Sequence, residues 1–163
     1  MDYMAMNSPT WRARYIDAIN AAAFKSSSQF EKKLGAVAAW IRQGERVAAT
    51  RDCQPFDKKS FKKSLQTLRA LTNETDPDLF VPQLIQTCAE FGVAVVFEPA
   101  PKGCPAWGAT KWLAPDKALL MLSLRYKTND HLWFAFFHEA AHIFLHSKKM
   151  LFVELKGPIH VEN

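Results

Sequence analysis

His138-Glu139-Ala140-Ala141-His142 is the stretch on which the reading of this chain turns, and its context is helical. Upstream, Thr128-Asn129-Asp130 supplies side chains that can cap a helix, and residues 131–146, HLWFAFFHEAAHIFLH, contain neither Gly nor Pro. Apolar residues occupy nearly the whole circumference of that helix, the pattern of a helix buried inside a domain. Residues i and i+4 of a helix share a face, so His138 and His142 can grip one divalent ion while Glu139 reaches a water beside it. The residue types suit that chemistry. Neutral imidazole nitrogens bind zinc at about 2 Å, an open coordination position admits water, and the ion brings that water's pKa to near neutrality, leaving Glu139 to accept its proton. A core helix whose histidines are only hydrogen-bonded is the bland alternative; two imidazoles one turn apart with an intervening Glu favour the metal and the chemistry of a zinc-dependent hydrolase.

The neighbouring histidines fall near the same stripe, but a helix rises about 1.5 Å per residue, so neither His131 nor His146 can easily join both inner histidines on one ion. The long zincin signature that takes a third His from just past the helix needs a Gly to turn the chain, and Ile143-Phe144-Leu145 has none. His146 therefore reads as a residue that supports the ligands or closes the helix. For a third ligand the rest of the chain offers Glu154, His160 and Glu162. Glu162 can return to the metal, although it stands beside the terminal Asn163, while Glu154, in the apolar run 150–155, reads as part of a strand. Either Glu162 completes the site, or a continuation of the chain does, or the site is empty.

With 163 residues, 48% of them hydrophobic, the chain can bury a real core yet is short for two independent domains. Nothing reads as a signal peptide or membrane span, so a soluble, cytoplasmic protein is expected. Cys53, Cys88 and Cys104 are odd in number and form no CxxC, which points to reduced thiols. The net charge of +5 invites a nucleic-acid reading. Its richest cluster is Lys58, Lys59, Lys62, Lys63 and Arg69, opposite Phe61, Leu65 and Leu68 at helical spacing, which is the pattern of a solvated face. No helix-turn-helix, zinc-finger or RNA-binding signature accompanies it, so direct nucleic-acid binding by this chain is not expected.

Along the chain, the first half reads as helical. Pro9 and Thr10 open a segment through Phe24, Ser26-Ser27-Ser28 breaks it, a second helix runs from 30 to about 49, a third covers 58–71, and Asp76 caps a fourth over 78–91 that ends at Gly92. These four could form a bundle packed on the second half of the chain. There, Val93-Ala94-Val95-Val96-Phe97 reads as a buried strand, residues 107–113 and 117–124 as two more around the turn Pro115-Asp116, and the histidine helix closes the series. The expected fold is α+β: a zincin-like, small three- to four-stranded twisted sheet packed on a buried metal-binding helix, with a mainly helical N-terminal half. Residues 1–72 form the helical region and 73–163 the core. Gly108 and Thr110 suggest that the middle strand is an edge, where Gly108, Ala109 and Thr110 could bind an extended peptide by strand addition.

Three stretches together carry a family resemblance: Gly108-Ala109-Thr110-Lys111-Trp112-Leu113, Leu122-Ser123-Leu124-Arg125-Tyr126-Lys127-Thr128, and Phe136-Phe137-His138-Glu139-Ala140-Ala141-His142-Ile143-Phe144-Leu145-His146. They resemble the ImmA/IrrE metallopeptidase family, in the version attached to HigA-type antitoxins and XRE-like regulators. The likeness spans residues 92–153 and extends more loosely to the helix around Trp40 and Glu45. It implies that His138 and His142 are zinc ligands and Glu139 the general base. Such regulators usually carry an N-terminal helix-turn-helix domain, which is not visible here, and a third-ligand Glu on a later helix in a Glu-Ala-Asn-like motif. The chain stops before such a helix, as a fragment or truncated product would, and Glu162 stands near that ligand's place without the motif. The expectation is one of two functions: a zinc endopeptidase that cleaves a protein partner such as a repressor or antitoxin, or a non-catalytic module that senses a ligand, metal or partner for a transcription or toxin–antitoxin system. A vestigial motif on a protein that merely folds is the third.

Overall fold

The computed structural model describes residues 28–125, 128–146, 148–149 and 151–154. The expected helix over 9–24, together with Tyr126, Lys127, His160 and Glu162, lies outside the described residues. Within them the fold is α+β, in the order α1 (Ser28–Ala49), α2 (Lys58–Leu71), α3 (Pro77–Ala89), β1 (Val93–Phe97), β2 (Gly108–Ala114), β3 (Lys117–Leu122), α4 (Asn129–Leu145) and β4 (Phe152–Glu154).

Local chemistry accounts for the boundaries. The Asp57 carboxylate accepts from the Ser60 N–H at 3.2 Å and opens α2; the Asp76 carboxylate accepts from the Asp78 N–H at 2.9 Å and opens α3, with Pro77 in the first turn where its missing N–H costs nothing. After α3 the chain turns into β1 through Gly92, at φ 85°. A side chain there would also run into the Phe56 backbone, since a Cβ would lie 2.3 Å from the Phe56 Cα.

The four strands form one mixed sheet in the order β1-β3-β2-β4, with β1 parallel to β3 and the other two pairings antiparallel. Side chains alternate across a strand, and here both faces are covered. Ala94, Val96, Leu119 and Met121 meet Val37, Ala38, Trp40 and Ile41 of α1. Val93, Val95, Ala118, Leu120 and Leu122, on the other face, meet Phe61 and Leu68 of α2, Phe80 and Leu84 of α3, and Phe136 and Ala140 of α4. Two-sided burial is why β1 and β3 are continuous apolar runs, each buried Leu or Val contributing about 1.5–3 kcal/mol relative to exposure.

This arrangement corrects two expectations. The N-terminal helices do not make a bundle, because α1 lies across the sheet from α2 and α3. Nor is α4 buried all round. Its inner side carries Leu132, Trp133, Ala135, Phe136, Glu139, Ala140 and Ile143, while Phe134 and Leu145 on the outer side are 50% and 74% exposed. Polar links tie α1 down: the Trp40 Nε1–H donates to the Glu98 carbonyl at 2.9 Å, and buried Glu45 pairs with Arg42 at 3.0 Å and with Lys111 of β2 at 2.6 Å.

Candidate metal centre

The Thr128 hydroxyl caps α4 by accepting from the His131 N–H at 3.3 Å, which sets the helix phase and with it the direction of each side chain along the helix. One turn apart, the His138 and His142 rings stand 5.0 Å centre to centre and nearly perpendicular. Glu139 points further inward, between α4 and β2. One ligand atom from each of His138, Glu139 and His142 lies within 4.8 Å of the other two, so the predicted group is spatially compact.

Glu139 is held tightly. It is 1% exposed, and its Oε2 lies 2.6 Å from the Thr110 hydroxyl, which is also 3.2 Å from the Glu139 carbonyl. The Thr110 hydroxyl donates to Glu139 Oε2, with the Glu139 carbonyl oxygen as a second, longer acceptor. Burial pushes the Glu139 carboxyl up to about 8; the Thr110 hydrogen bond opposes that shift and the nearby Glu154 charge adds to it. Beneath the carboxyl, a Cβ at Gly108 would meet Glu139 Oε1 at 2.8 Å, so only glycine lets the carboxyl sit this close to the strand.

His142 is pushed the other way. Burial, then the neighbouring His138 and His146, lower its pKa to about 4, leaving it neutral at physiological pH with a lone pair free for a metal. Its ring stacks on Phe152 of β4 at 4.3 Å and 10°. Phe152 also lies 4.3 Å from the ring of His146, the residue that ends α4, in line with the reading of His146 as a helix-end support.

The same short strand brings a second carboxylate. In β4, residues two apart share a face, so Glu154 is directed with Phe152 toward α4, and its Oε2 stands 3.3 Å from His138 Nε2. Pairing with β2 fixes it there, with Gly108 opposite Glu154 and Thr110 opposite Phe152, and the Trp107 N–H donates to the Glu154 carbonyl at 2.7 Å. Both side chains of the His138–Glu154 pair are about one-third exposed, so this end of the site opens to solvent. Sequence placed Glu154 on a strand but favoured Glu162 as ligand. Among the described residues, the carboxylate from outside α4 that pairs with His138 is that of Glu154. The Phe152-x-Glu154 alternation was the available signal.

The expected free edge at Gly108, Ala109 and Thr110 is corrected. These residues pair with β3 on one side and β4 on the other, and Gly108 and Thr110 face Glu139. The Gly-x-Thr spacing that suggested an edge is a platform for the carboxyl. His138, Glu139 and His142 together could hold a metal ion, with the Glu154 carboxylate beside His138. No helix of the described residues is long and apolar enough to cross a membrane. No family model matches the chain, and no match was found among curated proteins or solved structures.

Proposed function

We propose that this chain is a zincin-like, zinc-dependent endopeptidase domain in which His138, His142 and Glu154 hold the ion and Glu139 is the general base. The observation that carries the reading is the convergence of His138, Glu139 and His142 within 4.8 Å, with Glu154 3.3 Å from His138. When bound there, zinc would polarise a peptide carbonyl and acidify water. Glu139, steadied at Oε2 by Thr110, would take the water's proton and pass it to the leaving amine nitrogen. With β2 covered, an extended peptide would lie along the outer side of β4, beside the solvent-open end of the site. The resemblance to ImmA/IrrE metallopeptidases suggests a repressor or antitoxin as substrate and a regulatory setting.

Two observations favour a second reading. Phe152 stacks on His142 and Glu139 is almost fully buried, as in a site that keeps a metal for structure or sensing rather than turnover. Two measurements separate the readings. Metal-stripped protein should take up about one zinc per chain, with affinity lowered at least tenfold by His138→Ala, His142→Ala or Glu154→Ala, and Glu139→Gln should keep the zinc but lose cleavage of a candidate repressor. Zinc uptake with cleavage absent in both wild type and Glu139→Gln would select the module that keeps a metal; no zinc uptake would remove the enzyme and leave a module that senses a ligand or partner without metal.

A further inference from the structure

Between α2 and α4 lies a groove of about 460 Å³ lined by Lys58, Lys62, Leu65, Arg69, Phe144 and Leu145. Its two walls differ in chemistry. Lys58, Lys62, Leu65 and Arg69 recur at i, i+4, i+7 and i+11 and form one stripe of α2, whose inner stripe, Phe61, Ser64 and Leu68, is buried in the core. The opposite wall is apolar, and its Leu145 is 74% exposed. Helix α2 has no acidic residue at all, and among the described residues neither Lys58, Lys62 nor Arg69 enters an ion pair.

We propose that this groove docks an acidic amphipathic helix of a partner protein, its apolar stripe against Leu65, Phe144 and Leu145 and its carboxylates against Lys58, Lys62 and Arg69. Charge complementarity selects the occupant. Residues 1–27 carry Arg12, Arg14 and Lys25 against Asp2 and Asp17, and residues 155–163 carry Lys156 against Glu162, so neither flanking segment supplies the negative charge. An apolar floor is the wrong surface for a phosphate backbone, whose contacts are polar and cationic. From Lys58 to Arg69 the stripe runs about 16 Å at 1.5 Å per residue, which matches about three turns of a partner helix. The proposal stands whether or not His138 and His142 bind zinc.

The probe is a helical peptide of about 14 residues with Leu at i, i+3 and i+7 spacing and Glu beside each Leu. The full chain is titrated and monitored by methyl and amide NMR. Saturable binding is expected, with shifts on Leu65, Ala141, Phe144 and Leu145 and weakening as salt rises. Lys62→Glu combined with Arg69→Glu should weaken it at least tenfold, as should Leu145→Asp; all three positions are exposed, and unchanged circular dichroism verifies the fold. Absence of binding overturns the proposal. So does equal binding of a scrambled peptide of the same composition, or displacement by a DNA duplex that shares the charge-reversal sensitivity. Contacts of the Leu145 methyls with residues 155–163 in the free protein would show the groove filled from within and also overturn it.

Discussion

Gly108→Ala is a one-carbon test of how the site is built. The added Cβ would lie 2.8 Å from Glu139 Oε1, 3.0 Å from its Cγ and 3.1 Å from its Cδ. Glu139 cannot swing aside freely, because the other carboxyl oxygen is held by Thr110 at 2.6 Å and the side chain is 1% exposed. Strand β2 cannot retreat either, since Gly108 pairs with Leu122 of β3 and Glu154 of β4. Overpacking costs about 1–3 kcal/mol, and breaking the carboxyl's hydrogen bond to relieve it adds about 1 kcal/mol, so a loss of about 2–4 kcal/mol is expected. In a chain of this length that lowers Tm by roughly 5–15 °C. Thermal and urea denaturation of metal-stripped protein measure it. Gly103→Ala is the control: its φ is 83° but nothing lies within 4 Å of the added carbon, so only backbone strain, about 1 kcal/mol, is expected. If the clash acts through Glu139, adding Glu139→Ala should recover much of the loss. A Gly108→Ala variant as stable as wild type, or a loss that Glu139→Ala leaves untouched, would refute the account.

Thr110→Val removes the hydroxyl at constant shape and should cost about 1–3 kcal/mol by chemical denaturation, with Thr110→Ser restoring most of it. Glu139, raised from 4.5 to about 8 in the fold, holds its proton longer there than in the unfolded chain. Its contribution is therefore fully present below pH 4.5 and is lost as pH rises through about 8; relative to Glu139→Gln under chelator, wild type should lose on the order of a few kcal/mol across that window, and parallel profiles would contradict the assignment. Glu45→Ala takes the carboxylate from Arg42, whose side chain is 7% exposed, and should cost about 3 kcal/mol or more in urea unfolding. A much smaller loss would mean that Arg42 and Lys111 are satisfied without it.

The local elements were legible because their determinants are local. Asp57, Asp76 and Thr128 cap the helices they immediately precede, and the β1 and β3 runs announce strands buried on both faces. The apolar circumference of α4 misled, because Phe134 and Leu145 are large and apolar yet exposed, and nothing in periodicity distinguishes a covered hydrophobic face from an uncovered one. The helical bundle failed for a related reason: an amphipathic helix needs an apolar partner, and sequence does not say whether that partner is a helix or a sheet.

Sequence alone determined the histidine pair, since a helix of fixed pitch brings i and i+4 together wherever it is placed. Tertiary structure alone decided what surrounds the pair. Thr110 meets Glu139 across 29 residues of chain, and β4 pairs with β2 across more than 40, placing Glu154 at His138 and Phe152 on His142. A three-residue strand carries too little pattern to name its partner. Its register comes from the sheet edge it covers, and that edge exists only once β1, β3 and β2 have assembled.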